Sequence, residues 1–155
     1  MWKLKKRGFT AIEILFAIGI LGIIMAIIVP SFSNFRKASL INTETQDIVS
    51  FINKSRLSSM SSKADLTYGV HFDSNKVVVF STPTYSAVES TNETRMLNSL
   101  LYFAGTQIEG GGSDVVFQKV TGSTNKYATT TLKFVGTTAT STTFVIRPSG
   151  VVIAY

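Results

Sequence analysis

Apolar residues along this chain fall into three regimes. Between Phe9 and Val29 they are nearly continuous, interrupted only by Thr10, Glu13, Gly19 and Gly22. A helix over that stretch spans about 32 Å, close to the roughly 30 Å hydrocarbon core of a bilayer. From Pro30 the pattern turns amphipathic: Phe32, Phe35, Ala38, Ile41, Ile48, Ile52 and Met60 recur at helical spacings and mark one face. Arg36, Lys37, Glu44, Gln46, Asp47, Lys54 and Arg56 fall between them. The two stretches predict one helix over 9–62, roughly 80 Å long, which Pro30 would curve rather than end. The small residues of Ser58-Ser59-Met60-Ser61-Ser62 predict a fraying helix terminus.

From Leu66 the period becomes two. Strands are predicted at 66–72 and 77–80, joined through Asp73-Ser74-Asn75-Lys76 as a hairpin. The polar stretch 81–94, with Pro83, reads as a loop. Further strands are expected at 96–104, 115–120, 129–135, 142–147 and 151–155, with turns at Gly110-Gly111-Gly112 and Pro148-Ser149-Gly150. The Thr-rich region 121–143 still alternates Leu132, Phe134, Phe144 and Ile146, and threonine favours strands, so edge strands are expected there. The pattern predicts an α+β fold: one long helix whose second half packs on an antiparallel sheet of about six or more strands. Its segments are 1–8, 9–29, 30–62 and 66–155.

Charge sharpens the picture only at the N-terminus. The formal net charge is +6, but Lys3, Lys5, Lys6 and Arg7 supply +4 of it before the apolar run begins. The body is therefore close to neutral, and basicity is no argument for a nucleic-acid partner. With no cysteine there is no disulfide framework, thiolate metal site or cysteine nucleophile.

A basic stretch before an apolar run is also how a secretory signal peptide begins. Here the run is longer than a signal core of roughly 7–15 residues, and Ile27-Ile28-Val29-Pro30 is a poor cleavage site. Glu13 lies inside the run, where a carboxylate costs on the order of 2.5–3.5 kcal/mol at the bilayer centre. Neither a signal peptide nor a plain anchor accounts for it. Cations before the run place the N-terminus in the cytoplasm and the body outside.

The segment Lys6-Arg7-Gly8-Phe9-Thr10-Ala11-Ile12-Glu13-Ile14-Leu15 resembles the prepilin cleavage and methylation motif of type IV pilins and type II secretion pseudopilins. Pro30 matches a proline found near the membrane exit in many members. The resemblance implies that 1–8 is a leader, that prepilin peptidase cuts between Gly8 and Phe9, and that the same enzyme N-methylates Phe9. It implies that Glu13 pairs with the Phe9 amine of a neighbouring subunit during assembly. An ionised acid in lipid needs a partner, and a free α-amine, with pKa roughly 7.7–8.0, is a cation. Phe9 and Glu13 are also four apart, so the two could pair within one helix. The implied partners are the peptidase–methyltransferase, other pilin or pseudopilin subunits and inner-membrane lipid. The implied location is the inner membrane, then a filament.

More loosely, Lys54-Ser55-Arg56-Leu57-Ser58-Ser59-Met60, Val70-His71-Phe72-Asp73, Phe144-Val145-Ile146 and Gly150-Val151-Val152 resemble H-type minor pseudopilins and related minor pilins. The resemblance implies a structural subunit with no enzymatic activity and no cofactor. The alternatives are a DNA-binding minor pilin of an uptake pilus and an anchored surface domain that does not assemble.

Other chemistry finds little support. His71 is the only histidine; its neighbours Val70 and Phe72 are apolar, so it points to the other sheet face as an ordinary strand residue. Zinc or iron would lack nitrogen and sulfur ligands. Asp73, Glu109 and Asp114 offer oxygens for calcium but no tight ligand loop. Gly110–Gly112 lacks the Lys-Ser/Thr sequel of a phosphate loop. Asn53-Lys54-Ser55 and Asn92-Glu93-Thr94 are glycosylation triplets of a kind that arises often by chance. Lys119, Lys126, Lys133 and Arg147 are dispersed, whereas a phosphate-tracking patch needs clustered cations.

Overall fold

The computed structural model describes residues 8–136 and 141–155; most of the expected leader (1–7) and part of the Thr-rich stretch (137–140) lie outside them. Helix α1 runs over Ala11–Met60 and includes Pro30, so the proline does not end it. The helix is two residues shorter at each end than the periodicity predicts. At its start Thr10 stays outside and caps it, its Oγ1 accepting the Glu13 backbone N–H at 3.3 Å. At its end the chain leaves through Ser62, whose φ of 47° is left-handed.

The chain divides into two compact units, Met1–Ala38 and Ser39–Tyr155. Within the first, the apolar helix turns every described side chain outward, and Phe32 and Phe35 are 61% and 69% exposed. These two phenylalanines were expected on the sheet-facing stripe; instead they continue the exposed apolar surface.

In the second unit, eight strands follow: β1 (Tyr68–Asp73), β2 (Lys76–Phe80), β3 (Glu93–Met96), β4 (Leu101–Ile108), β5 (Asp114–Phe117), β6 (Ala128–Phe134), β7 (Ser141–Ile146) and β8 (Val152–Ala154). They build two four-stranded antiparallel sheets, ordered β3-β2-β1-β5 and β4-β6-β7-β8. A single sheet was expected. The difference arises at 96–104, read as one strand: Asn98 breaks it by bonding the Leu100 N–H at 3.0 Å, so Met96 closes β3 and Leu101 opens β4 in the other sheet. The expected hairpin forms, with Asp73 opposite Lys76 across the Ser74-Asn75 turn.

One core joins both sheets to the helix. Ile41, Ile48 and Ile52 of α1 are buried with Val70, Phe72, Val115 and Phe117 of one sheet and Phe103, Leu132, Phe144 and Ile146 of the other. Each such side chain contributes roughly 1.5–3 kcal/mol on burial. The buried stripe continues through Ser55 and Ser59 rather than ending in a frayed turn. Ser55 Oγ donates to the Gly69 carbonyl at 3.2 Å. Ser59 Oγ accepts the Tyr68 N–H at 2.9 Å. Small hydroxyl side chains let the helix approach β1 closely while meeting its backbone groups.

Arg56 ties the far end of the sheets to this part of the helix. Its guanidinium donates to the carbonyls of Gly122 (3.0 Å) and Ser149 (3.3 Å), in the β5–β6 and β7–β8 connections. Gly150, at φ +77°, completes the contact: a Cβ there would lie 1.8 Å from the Gly122 oxygen. Gly150→Ala should therefore destabilise the fold by about 2 kcal/mol or more, the strain and the clash adding. Gly111→Ala, with similar φ and open space around it, should cost only about 1 kcal/mol. Thermal melts of the two variants in detergent check the order.

Candidate functional site

The N-terminal segment holds the residues singled out by the sequence. Gly8, Phe9 and Thr10 precede α1, and all three are exposed. Phe9 and Glu13 line one shallow apolar groove along the helix with Ile14, Ala17, Ile18 and Leu21. Glu13 therefore lies beside Phe9 as their spacing requires, and among the described residues its carboxylate has no ion-pair partner. Over an 18-residue window the helix has a mean hydropathy of 2.9, none of it buried against the rest of the chain. Pro30 lies in the same helix, well away from this groove along the chain. The role of Thr10 as cap escaped the sequence reading, although the Thr-x-x-Glu spacing was the available signal.

On the body, α1 is fastened to edge strand β3 by charge. Arg95 reaches Asp47 at 2.7 Å and Glu44 at 3.4 Å, and Lys54 pairs with Glu93. These pairs are partly exposed and so worth little individually; they fix which edge of the sheet lies beside the helix. The loop reading of 81–94 concealed this strand, because Glu93 and Arg95 interrupt any apolar alternation.

His71 does point away from Val70 and Phe72, as expected, but it has defined partners. Its Nδ1 lies 2.5 Å from Asp114 Oδ1 on β5, and its ring stacks on Tyr85 with centroids 3.8 Å apart and planes 11° from parallel. Tyr85 also tilts against Phe80, 5.7 Å away. The connection 81–92 thus folds back over the outer face of its sheet, covering Phe80 and Val78, which are fully buried. Gly69, opposite Phe80, leaves the space that this ring occupies. The geometry orients a loop; no hydroxyl nucleophile is bonded to the imidazole.

The possible calcium oxygens are dispersed. Asp114 faces His71. Asp73 accepts the Ser74 N–H at 2.7 Å, and Glu109 accepts the Tyr127 N–H at 3.3 Å. No group of three metal-ligating side chains occurs among the described residues. Neither glycosylation triplet is presented: Ser55 is buried against β1, and the Asn92 amide donates to the Ser86 carbonyl at 2.7 Å. Gly110–Gly112 form a left-handed turn between β4 and β5. Among the scattered cations, Lys119 is paired with Asp65 at 2.7 Å and Lys126 reaches the Asp114 carbonyl at 3.4 Å. Lys133 is the penultimate residue of β6, and Arg147 follows β7.

Two carboxylates are held below the usual carboxylate range. Asp73 is lowered chiefly by the Ser74 N–H, with Lys76 and His71 assisting; Asp65 is lowered by its bond to Lys119 and by that ammonium's charge. Asp73 therefore stabilises the β1–β2 turn above the unfolded carboxylate pKa of roughly 3.9, and that contribution is lost as pH falls through its lower folded value. Asp73→Asn should lower the melting temperature at pH 6, and the gap from wild type should close toward pH 2. Separately, His71→Ala should release the 81–92 connection. Amide exchange there is expected to accelerate about tenfold or more, while Ile48 and Ile52 in α1 remain protected.

No known protein family's sequence profile matches the chain, and no curated protein sequence does. Among solved structures, two crystal forms of the type IV minor pilin FimU of Pseudomonas aeruginosa PAO1 share its architecture. They superpose with TM-scores of 0.56 and 0.57 at 8% and 9% sequence identity. The matches cover 74% and 78% of this chain and 91% and 92% of those chains. The fold, a long N-terminal helix with antiparallel sheets, is the one these type IV minor pilins have.

Proposed function

We propose that this chain is a structural subunit, a minor pilin or pseudopilin, of a type IV pilus or type II secretion pseudopilus. The observation that carries the reading is the Glu13 carboxylate, without an ion-pair partner among the described residues, on an exposed apolar helix four residues after Phe9, on a chain whose fold is shared with a minor pilin. Before assembly the helix lies in the inner membrane with the basic leader in the cytoplasm. Prepilin peptidase removes 1–8 and methylates the new Phe9 amine. N-methylation keeps the positive charge and adds apolar surface. In the filament, that amine meets Glu13 of a neighbouring subunit, replacing any pairing the two make within one helix before assembly. Pro30 adjusts the helix where it leaves the lipid.

Cleavage at this point suits the local structure. Gly8 is exposed, outside the helix, with nothing within 4 Å of where a Cβ would stand. A side chain at Gly8 thus leaves the protein's own fold untouched and acts only on the peptidase, which must approach the backbone closely. Bulky substitution at Gly8 should block processing. Glu13→Ala should leave processing largely intact, since the variant helix is more apolar. It should nevertheless abolish normal incorporation into filaments, because removing one member of a buried pair typically costs about 3–5 kcal/mol. N-terminal sequencing of the processed chain and recovery of sheared filaments read the two effects separately. An intact leader in assembled filaments, or normal incorporation of Glu13→Ala, would refute the reading.

A further inference from the structure

The contacts between α1 and the sheets define the end at which the chain enters the body. Arg95 on β3 meets Asp47 and Glu44, whereas Glu93, two residues earlier, meets Lys54. β3 therefore runs back along α1 toward Ser39, and Met96 closes it at the entry end. The β1–β2 turn lies at the same end, since the Asn75 carbonyl accepts the Leu97 N–H at 2.9 Å and the Ser74 carbonyl accepts the Phe103 N–H at 2.8 Å. So do the start of β4 and the finish of β6, where Leu101 pairs with Phe134 and the Val135 N–H reaches the Leu100 carbonyl at 2.9 Å. The Arg56 contacts with Gly122 and Ser149 mark the opposite end.

Apolar and cationic side chains collect at the entry end. Met96, Leu100 and Val135 are 57%, 55% and 62% exposed. Met96 stands opposite Lys76 in one sheet, and Tyr102 stands opposite Lys133 in the other. Each outer face thus ends in an apolar or aromatic side chain beside a lysine, and Leu100 lies in the connection between the two sheets. Among the described residues Lys133 has no carboxylate in ion-pair contact, and Lys76 is 3.7 Å from Asp73. Glu44 and Asp47, the first acids of α1 within the body, are already bound to Arg95. Arg36 and Lys37 precede Ser39 along the chain, so cations are in excess here.

We infer that the entry end docks on the anionic lipid surface in which the apolar helix is anchored, and holds the subunit there before assembly. The inference rests on the membrane-held stage of the proposed function. Ten residues, 30–39, separate the apolar run from the body; as helix they span about 15 Å. The headgroup layer takes roughly 5–7 Å of that, and the remainder is about one Debye length at physiological salt. The lysines therefore feel the headgroup charge, and a modest helix tilt closes the gap on one side. Apolar side chains, a tyrosine and lysines together are the chemistry of the bilayer interface. The tether supplies what so small a patch lacks, because docking beside an anchored helix is effectively intramolecular.

The chain has no cysteine, so single substitutions report on each end of the body. Full-length Val135→Cys and Ser149→Cys, each carrying a fluorophore, are reconstituted into phosphatidylcholine vesicles containing phosphatidylglycerol and a headgroup spin-labelled lipid. Ser149 is exposed at the opposite end. Quenching at 135 should exceed that at 149 by about threefold or more, and should fall to the 149 level in high salt or without phosphatidylglycerol. Lys76→Gln combined with Lys133→Gln should abolish the difference while melting like wild type in detergent. Equal quenching at the two positions, or quenching indifferent to phosphatidylglycerol and to both lysines, overturns the inference. Loss of quenching when each vesicle holds a single chain makes a second copy the occupant and overturns it too. A chain that docks in this way yet is excluded from sheared filaments sustains the lipid contact and refutes the subunit role instead.

Discussion

The organising constraint in this molecule is an apolar helical surface that its own chain does not cover. From Phe9 to Phe35 the described side chains of α1 are exposed, and at roughly 25 cal/mol per Å² no soluble chain keeps such a surface in water. Further along the same helix the problem is solved internally, by two sheets closing over Ile41, Ile48, Ile52, Ser55 and Ser59. One continuous helix therefore meets two kinds of surroundings: its own protein after Ser39 and, on the proposed reading, lipid or neighbouring helices before it. The division of the chain into units at Ala38 and Ser39 follows from that difference.

Glu13 makes the first half conditional. In lipid an unpaired carboxylate is unfavourable, so on the proposed reading the membrane-bound subunit is stored in a state that assembly improves. On that reading the Phe9 amine, exposed by cleavage, is the complementary charge, and processing and assembly are coupled through one electrostatic pair. Thr10 has a local part in this arrangement: by capping the helix it leaves Gly8 and Phe9, the proposed cleavage point, exposed and outside regular structure.

How much of this was legible in the sequence depended on whether a residue's partner was near or far. The long apolar run, the helix that follows it and the β1–β2 hairpin rest on local period and turn chemistry, and they were read within two or three residues. The split of 96–104 between two sheets was not, because its cause is a side-chain bond at Asn98 that periodicity does not encode. Phe32 and Phe35 fit the helical stripe by spacing, yet spacing cannot say where a body begins to cover a helix. Ser59 was read as part of a fraying end and Ser55 was not placed in the core at all, since only the closeness of β1 makes their hydroxyls core-like. His71 was placed on the correct face, but Tyr85 and Asp114 come from distant segments. Gly8, Phe9 and Glu13 lie within one six-residue stretch, so the resemblance they carry could be read without any tertiary contact.

The body's polarity shows the same economy. Its threonine-rich strands give β4-β6-β7-β8 an outer face of low charge: Thr129, Thr131 and Thr143 share it with Lys133 and Val145, and the Thr131 and Thr143 hydroxyls bond each other at 3.2 Å. Self-satisfied hydroxyls of this kind keep a sheet soluble while leaving little to attract a partner. On the proposed reading the contact with a neighbour falls instead to the apolar helix with its carboxylate, where charge and lipid, rather than the side chains of the body, select the partner.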